Sequence, residues 1–311
     1  MINVRLYRYL SLLLLVFLVL PHYGPAHAGE NKEGAAKEVT LVSWNIEWYP
    51  GMARFARSAQ RRSHEVAVKA ELERIQPDIF LAQEMRGWEP FADLCAVVPD
   101  LQPVVVSAFR SPYSGEYWQQ QIGIASKLSV HAGWSEPWRR GNDFEVVRGF
   151  SVAAVRIPGT FHLLLVYSVH LKSNLARSEE HVELNYKIRD ESIRQLLEHV
   201  REMEEVAFPD RVLGVVVGGD FNTNHDGQFG DNVVRLMEQA GFYNTWGDTP
   251  KEERDTWRGS ERFESTTLDY FFTKGLGEPQ AVMLEVSEET SDHWPVKLVI
   301  TLPEPPGRDE E

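Results

Sequence analysis

Residues able to do chemistry fall where apolar runs stop. Asn45 follows the run 39–44, Gln83-Glu84 follows 79–82, and His170 follows 163–169. Gly218-Gly219-Asp220-Phe221-Asn222 closes 212–217, Asp269 sits in Leu268-Asp269-Tyr270-Phe271, and Ser291-Asp292-His293 precedes 296–301. Ligands gather at strand ends in open α/β sheets. Carboxylate and amide oxygens collected there suit a hard divalent cation such as Mg²⁺. The histidines lack zinc-type spacing, and a single cysteine excludes a Cys-rich zinc site.

Taken singly, Asn45 reads as a turn former, Glu84 as a surface acid and His170 as a packed histidine. Their shared place at strand ends argues for a site. Asp220 and Asn222 make the strongest case: two glycines permit close backbone approach, and Asp-x-Asn puts two oxygens on one side of an extended segment. Asp269, between apolar neighbours, is costly to bury without a partner, and His293 is a candidate for that partner.

The elements that must position these residues follow from periodicity. Helices are expected at 63–75, with Val68, Leu72 and Ile75 on one face, at 185–203, with Ile193, Leu196, Leu197 and Val200, and at 233–240. Strands are expected at 39–44, 79–82, 104–107, 122–126, 152–157, 163–170, 212–217, 268–273, 281–285 and 296–301. Runs such as 79–82 and 212–217 are continuously apolar, as in strands covered on both faces. The mixture implies an α/β (α+β) domain of mixed sheets covered by helices, with no composition shift inside 39–302.

Arg5 and Arg8 precede an apolar run, 10–20, then Pro21 and Ala26-His27-Ala28, the pattern of a signal peptide over residues 1–28. The run is too short to span a bilayer. The expected order is signal peptide 1–28, linker 29–38, one domain 39–302 and a charged tail 303–311, for a secreted or periplasmic monomer. Cleavage after Ala28 takes the net charge of −14 down by two cations, to −16. Such a charge opposes tight nonspecific binding of polyanions but leaves a metal-bridged phosphate contact open. Cys95, alone and among apolar residues, reads as a buried filler.

In order, the chain carries SWNIEW, LAQEM, YSVHLKSN, VGGDFNTN, TLDYFF and SDHWPV. This series resembles the endonuclease/exonuclease/phosphatase superfamily, the DNase I-like enzymes, from about residue 39 to 301. The resemblance implies a four-layer sandwich, two mixed β-sheets face to face with helices outside. It implies Mg²⁺- or Mn²⁺-dependent cleavage of a phosphoester. It places Glu84, Asn45 and Asp292 at the metal. It gives Asp220 and Asn222 the attacking water and the phosphate, His293 the scissile phosphate, Asp269 the support of His293, and His170 a second phosphate contact. One departure stands out: where the nuclease branch has a glutamate supporting the second histidine, this chain has Gln119, Gln120 and Gln121, with Glu116 a few residues earlier.

The resemblance leaves the substrate open. A secreted nuclease acting on DNA or RNA comes first. Arg54, Arg57, Arg61 and Arg62 form a basic run, Arg139, Arg140, Arg148 and Lys172 add charge, and Tyr113, Trp118, Trp134 and Trp138 are candidate base-stacking rings. A phosphodiesterase acting on a lipid or small phosphoester is the alternative. Thr223-Asn224-His225 and Thr266-Thr267-Leu268 stand where the inositol-phosphatase branch has its arginine and Cys-Asp-Arg segments. A DNA-end processing enzyme is disfavoured by the export signal. A non-catalytic binding protein on the same scaffold is disfavoured because every metal and catalytic position is filled.

Overall fold

The computed structural model describes residues 38–302 except 112, 142 and 177. The expected signal peptide, nearly all of the linker and the tail lie outside the described residues. Among the described residues, no helix is long and apolar enough to cross a membrane.

Among the described residues, twelve strands form two six-stranded sheets. The first runs in the order β11 (Ala281–Met283), β12 (Val296–Thr301), β1 (Glu38–Tyr49), β2 (Ile79–Met85), β4 (Gln121–Ser126), β3 (Gln102–Val106). The second runs β5 (Val130–Pro137), β6 (Gly149–Arg156), β7 (Leu163–His170), β8 (Val212–Asp220), β10 (Asp269–Lys274), β9 (Tyr243–Asn244). Each sheet is mixed. Its central pair is parallel, β1 with β2 and β7 with β8, and the other pairs are antiparallel.

Alternation along the strands assigns the faces. Leu41, Ile79 and Leu81 join the core shared with the second sheet, whereas Val42, Trp44, Phe80 and Ala82 pack with Val68 and Leu72 of α1 (Ser58–Ile75) and Phe91 and Leu94 of α2 (Trp88–Cys95). Cys95 is buried there, as its neighbours imply. The second sheet is covered by α3 (Glu179–Glu202) and α4 (Val233–Gln239), through Ile188, Ile193, Leu196, Val233 and Met237. The four-layer sandwich is therefore the observed architecture. Between the sheets a small polar link interrupts the apolar core: Gln83 Nε2 donates to Ser168 Oγ at 3.1 Å and to Ser43 Oγ at 3.3 Å.

Periodicity located most elements but not all of their ends. α1 begins five residues before the expected start at 63, because Ser58–Arg62 is exposed and has no large apolar residue to carry a signal. α3 also starts early. Ser178 caps it by accepting from His181 N, and Glu179 and Glu180 complement the helix dipole in the first turn. α2 was not anticipated, being too short to show a period, and neither was β5, a half-exposed edge strand ending in proline. Two further elements, the four-residue helix α5 (Lys251–Arg254) and the two-residue β9, fall below what any pattern can reveal.

The two glycines before Asp220 have distinct reasons. Gly219 has φ +146°, and a Cβ there would collide with the carbonyl oxygen of Val169 on the neighbouring strand; a Cβ on Gly218 would lie 2.5 Å from the Phe271 ring. Gly219→Ala is expected to cost roughly 3 kcal/mol from overpacking and left-handed strain together. Urea denaturation measures it, and an unchanged midpoint would contradict this account.

Candidate active site

Strand register gathers the site. In the second sheet, Asp220 pairs with His170 of β7 on one side and Asp269 of β10 on the other, so three ionisable residues from three strands form one row. In the first sheet, Asn45 pairs with Gln83. The register then slips between Asn45 and Tyr49, and Glu84 takes φ +63°, which carries its side chain out of the pleat. Trp48 N donates to Glu84 Oε2 at 3.0 Å and fixes that carboxylate.

The sheets meet at Asp220. Asn45 Nδ2 donates to Asp220 Oδ2 at 2.9 Å and lies 3.4 Å from Glu84 Oε1. Asp220 Oδ1 accepts from Asn222 N at 2.9 Å, and Asn222 Nδ2 donates to the Leu171 carbonyl at 3.3 Å. His293 arrives from the loop before β12. Its N–H donates to Ser291 Oγ at 3.0 Å, and Ser291 Oγ donates to the Asn45 carbonyl at 2.7 Å. Its Nδ1 lies 2.7 Å from Asp269 Oδ2, and its Nε2 lies 4.0 Å from Asp292 Oδ1. Asp292 accepts from Trp257 Nε1 at 3.0 Å. All eight residues singled out in the sequence thus lie in one connected cluster: Asn45, Glu84, His170, Asp220, Asn222, Asp269, Asp292 and His293.

The two histidines are held in opposite charge states. Burial opposes charge on His293, but Asp269 against Nδ1, with Asp220 and Asp292 nearby, outweighs it and raises its pKa well above the ordinary value. The stability this gives is full below the ordinary histidine pKa and is lost as pH rises through the raised value. His170 is pushed well below its ordinary value by burial, then by Arg148, His293 and Lys172, and is neutral at pH 7. Its Nε2 stands 3.4 Å from Asp220 Oδ2 and 3.8 Å from Glu84 Oε1, and its buried Nδ1 has no hydrogen-bond partner among the described residues. None of the three glutamines replaces the missing glutamate. Gln119 accepts from Arg86, Gln120 accepts from Arg148, and Gln121 pins Ser107, Phe109 and Trp118. Burial raises Asp220 to about 7; His293 opposes the shift, Asp269 reinforces it, and the bonds from Asn45 and Asn222 oppose it.

Three residues that do much of this work were not singled out. Glu47 is pushed up to about 7 by burial, then by Asp292 and Glu84. Its signal was available: Asn45-Ile46-Glu47 repeats the two-residue spacing seen in Asp220-Phe221-Asn222. Arg148, one of the basic residues expected to favour a nucleic-acid substrate, is buried and donates to the carbonyls of Leu171 at 2.7 Å and His170 at 3.4 Å. Arg86, two residues past Glu84, donates to the carbonyls of Trp48, Pro50, Ala53 and Arg54. No sequence pattern announces either arginine's role. Of the other basic residues, Arg139 pairs with Glu198, and Arg140 lies 3.2 Å from Glu145. Trp138 belongs to the core against Phe150, and Trp134 packs partly against that core and donates to Glu136 on β5.

The donor set fits a hard cation. Glu47, Glu84 and Asp292 are close enough that their charges oppose one another, and Asn45 adds an amide. A divalent ion would relieve that repulsion. Asp220, Asp269 and His293 also bring donor atoms within 4.8 Å of one another, but there one Asp269 oxygen is already given to His293.

Two mixed sheets that close on a carboxylate–histidine cluster define an α/β sandwich with its polar site at the strand ends. The sequence pattern of the Endonuclease/Exonuclease/phosphatase family matches residues 42–293, and the chain belongs to that family. No curated protein matches it significantly in sequence. Among solved structures, it is similar to TDP2 of Caenorhabditis elegans in truncated form, with 17% identity, TM-score 0.58, and coverage of 85% of this chain and 98% of that one. It is similar to a mannosyl-6-phosphatase of Bacteroides thetaiotaomicron, with 15% identity, TM-score 0.60, and coverage of 85% and 100%. It is also similar to beta toxin of Staphylococcus aureus, with 16% identity, TM-score 0.59, and coverage of 84% and 99%. At these identities the likeness is one of fold.

The charge assignment is open to test by ¹⁵N NMR of the imidazoles. In Asp269→Asn the main cause raising His293 is gone while burial remains. Its titration is expected to move to lower pH, with His170 neutral in both proteins. A His293 titration unmoved by the substitution would contradict the assignment.

Proposed function

We propose that this chain is a secreted phosphodiesterase, dependent on Mg²⁺ or Mn²⁺, that hydrolyses nucleic-acid phosphodiester bonds. One observation carries the reading: Asp220 lies between a carboxylate cluster on one side and a charged His293 on the other, so a single phosphate can be flanked by both. Glu84, Asn45 and Asp292, with Glu47 beside them, would hold the ion. Bound there, it would neutralise phosphate oxygens and the charge that grows toward the transition state.

The chain's own residues supply the rest. Asp220, near 7, takes the proton of the attacking water. Asn222 donates through Nδ2 to the Leu171 carbonyl, which leaves its amide oxygen to orient that water. His293 as imidazolium donates from Nε2 to the leaving oxygen and gives it a proton as the P–O bond breaks, so that an alcohol departs, and Asp269 fixes its ring and charge. His170, neutral and with no carboxylate on Nδ1, is suited to hydrogen bonding the phosphate rather than to delivering a proton.

The family membership supports phosphoester hydrolysis, and the choice of nucleic acid rests on the basic run 54–62 beside the site. The lipid alternative would need an apolar hairpin. The hairpin near Asp292, residues 258–265, carries one exposed ring, Phe263, among charged and polar residues. Secretion rests on the signal-peptide pattern of residues 1–28.

Supercoiled-plasmid nicking tests the reading. Nicking is expected with Mg²⁺ or Mn²⁺, none with EDTA, and a loss of at least ~10²-fold in Asp220→Asn or His293→Ala. Glu47→Gln is expected to raise the Mg²⁺ concentration for half-maximal rate roughly ten-fold or more, as loss of one carboxylate from the cluster implies. A folded protein that leaves both plasmid and single-stranded oligonucleotide intact but hydrolyses bis(4-nitrophenyl) phosphate would move the substrate to lipid or small phosphoesters. A folded protein with neither activity would favour a binding protein.

A further inference from the structure

The loops beside Glu84 hold a feature that the reaction itself does not use. Arg86 spends its whole guanidinium on them. Nε donates to the carbonyls of Trp48 and Pro50 at 3.2 and 3.1 Å, Nη2 to those of Ala53 and Arg54 at 2.6 and 3.2 Å, and Nη1 to Gln119 Oε1 at 2.5 Å. One side chain therefore binds the loop after β1 to the loop before β4, and fixes both to the strand that presents Glu84.

Each loop displays an arginine stacked on an exposed aromatic ring. In the first, Arg54 lies 5.2 Å from the ring centre of Phe55, which is 83% exposed. In the second, Arg110 lies 3.8 Å from the ring centre of Tyr117, which is 59% exposed, with Tyr113 76% exposed beside it. Bonds within this second loop join Ser111 N to Glu116 O at 2.8 Å and Arg110 Nη1 to Gly115 O at 2.8 Å. It also reaches the catalytic row, since Trp118 stacks near Arg148, which holds the His170 carbonyl.

Isolated exposed rings are ordinary. These rings occur in two short loops tied by one guanidinium, and both carry cations. In a chain of net charge −14, residues 48–64 contain Arg54, Arg57, Arg61 and Arg62 and no acid; the second loop carries one acid, Glu116. Rings that accept any base face, interleaved with cations that follow a phosphate backbone, are what an unpaired strand requires. A duplex keeps its base faces stacked inside.

We propose that Arg54–Phe55 and Arg110–Tyr117 form a wall that binds single-stranded nucleic acid beside the scissile phosphate. The inference rests on the nuclease reading above and names its substrate class.

The test compares wild type, Phe55→Ala/Tyr117→Ala and Arg54→Ala/Arg110→Ala on three substrates: a single-stranded oligothymidylate, a duplex oligonucleotide and bis(4-nitrophenyl) phosphate, which is too small to reach the wall. Both variants are expected to lose roughly ten-fold or more in the ratio of kcat/KM for the oligothymidylate to that for the small diester, mainly through KM. The arginine variant is also expected to show a shallower dependence of oligothymidylate KM on salt, by up to ~0.7 in log–log slope for each phosphate the arginines no longer neutralise. Small-diester turnover reports that the variants are folded. An unchanged ratio in a wild type that cleaves the oligothymidylate overturns the wall alone. An equal loss on the duplex overturns the single-strand assignment. A wild type that hydrolyses the small diester yet neither binds nor cleaves either oligonucleotide overturns the nuclease reading itself.

Discussion

The bond from Asn45 to Asp220 is the constraint on which the rest depends. It joins the two sheets through side chains from the ends of their central strands. A buried carboxylate is tolerated only when its oxygens are engaged, and Asp220 has Asn45 on one and the Asn222 amide on the other. Engaging it fixes the distance between the strand ends. That distance in turn sets how far the carboxylates of the first sheet stand from the histidines of the second.

From this follows a division of charge. The first sheet and its loops bring Glu47, Glu84 and Asp292 together, a cluster that repels itself without a cation. The second sheet and the loop before β12 set a carboxylate on Nδ1 of His293, whereas Nδ1 of His170 has no partner among the described residues. One site thus contains an imidazole held charged by the acid on its Nδ1 and an imidazole held neutral by burial and the cations around it. The glutamines at 119–121, which look like a loss when compared with nucleases, serve elsewhere. Gln120 and Gln119 are bound by Arg148 and Arg86, the two arginines that brace His170 and the Glu84 loops.

Much of this was legible in the sequence. Continuous apolar runs at 79–82 and 212–217 gave central strands, and polar residues at their ends gave the site, because burial on both faces leaves only the ends free for chemistry. Gly218-Gly219 announced close backbone approach, and the Val169 carbonyl supplies the reason. What stayed hidden depends on register and on long side chains. The slip after Asn45 that turns Glu84 outward leaves no trace in composition. The burial of Arg148 cannot be separated from surface charge by counting. Trp134 and Trp138 looked like stacking platforms, yet one is tied to an edge strand and the other is packed in the core. Phe55 and Tyr117, in polar stretches, carried no signal of their position.

The central claim is that Glu47, Glu84 and Asp292 repel one another because they are built around a cation. Calorimetric titration of the protein with Mn²⁺ at pH 7, in buffers of different ionisation enthalpy, tests it most directly. One Mn²⁺ should bind per chain with release of protons, because Glu47 and Asp220 both titrate at about 7 and the ion favours their charged forms. Glu84→Ala should abolish that binding. Binding without proton release, or binding that survives Glu84→Ala, would contradict the account.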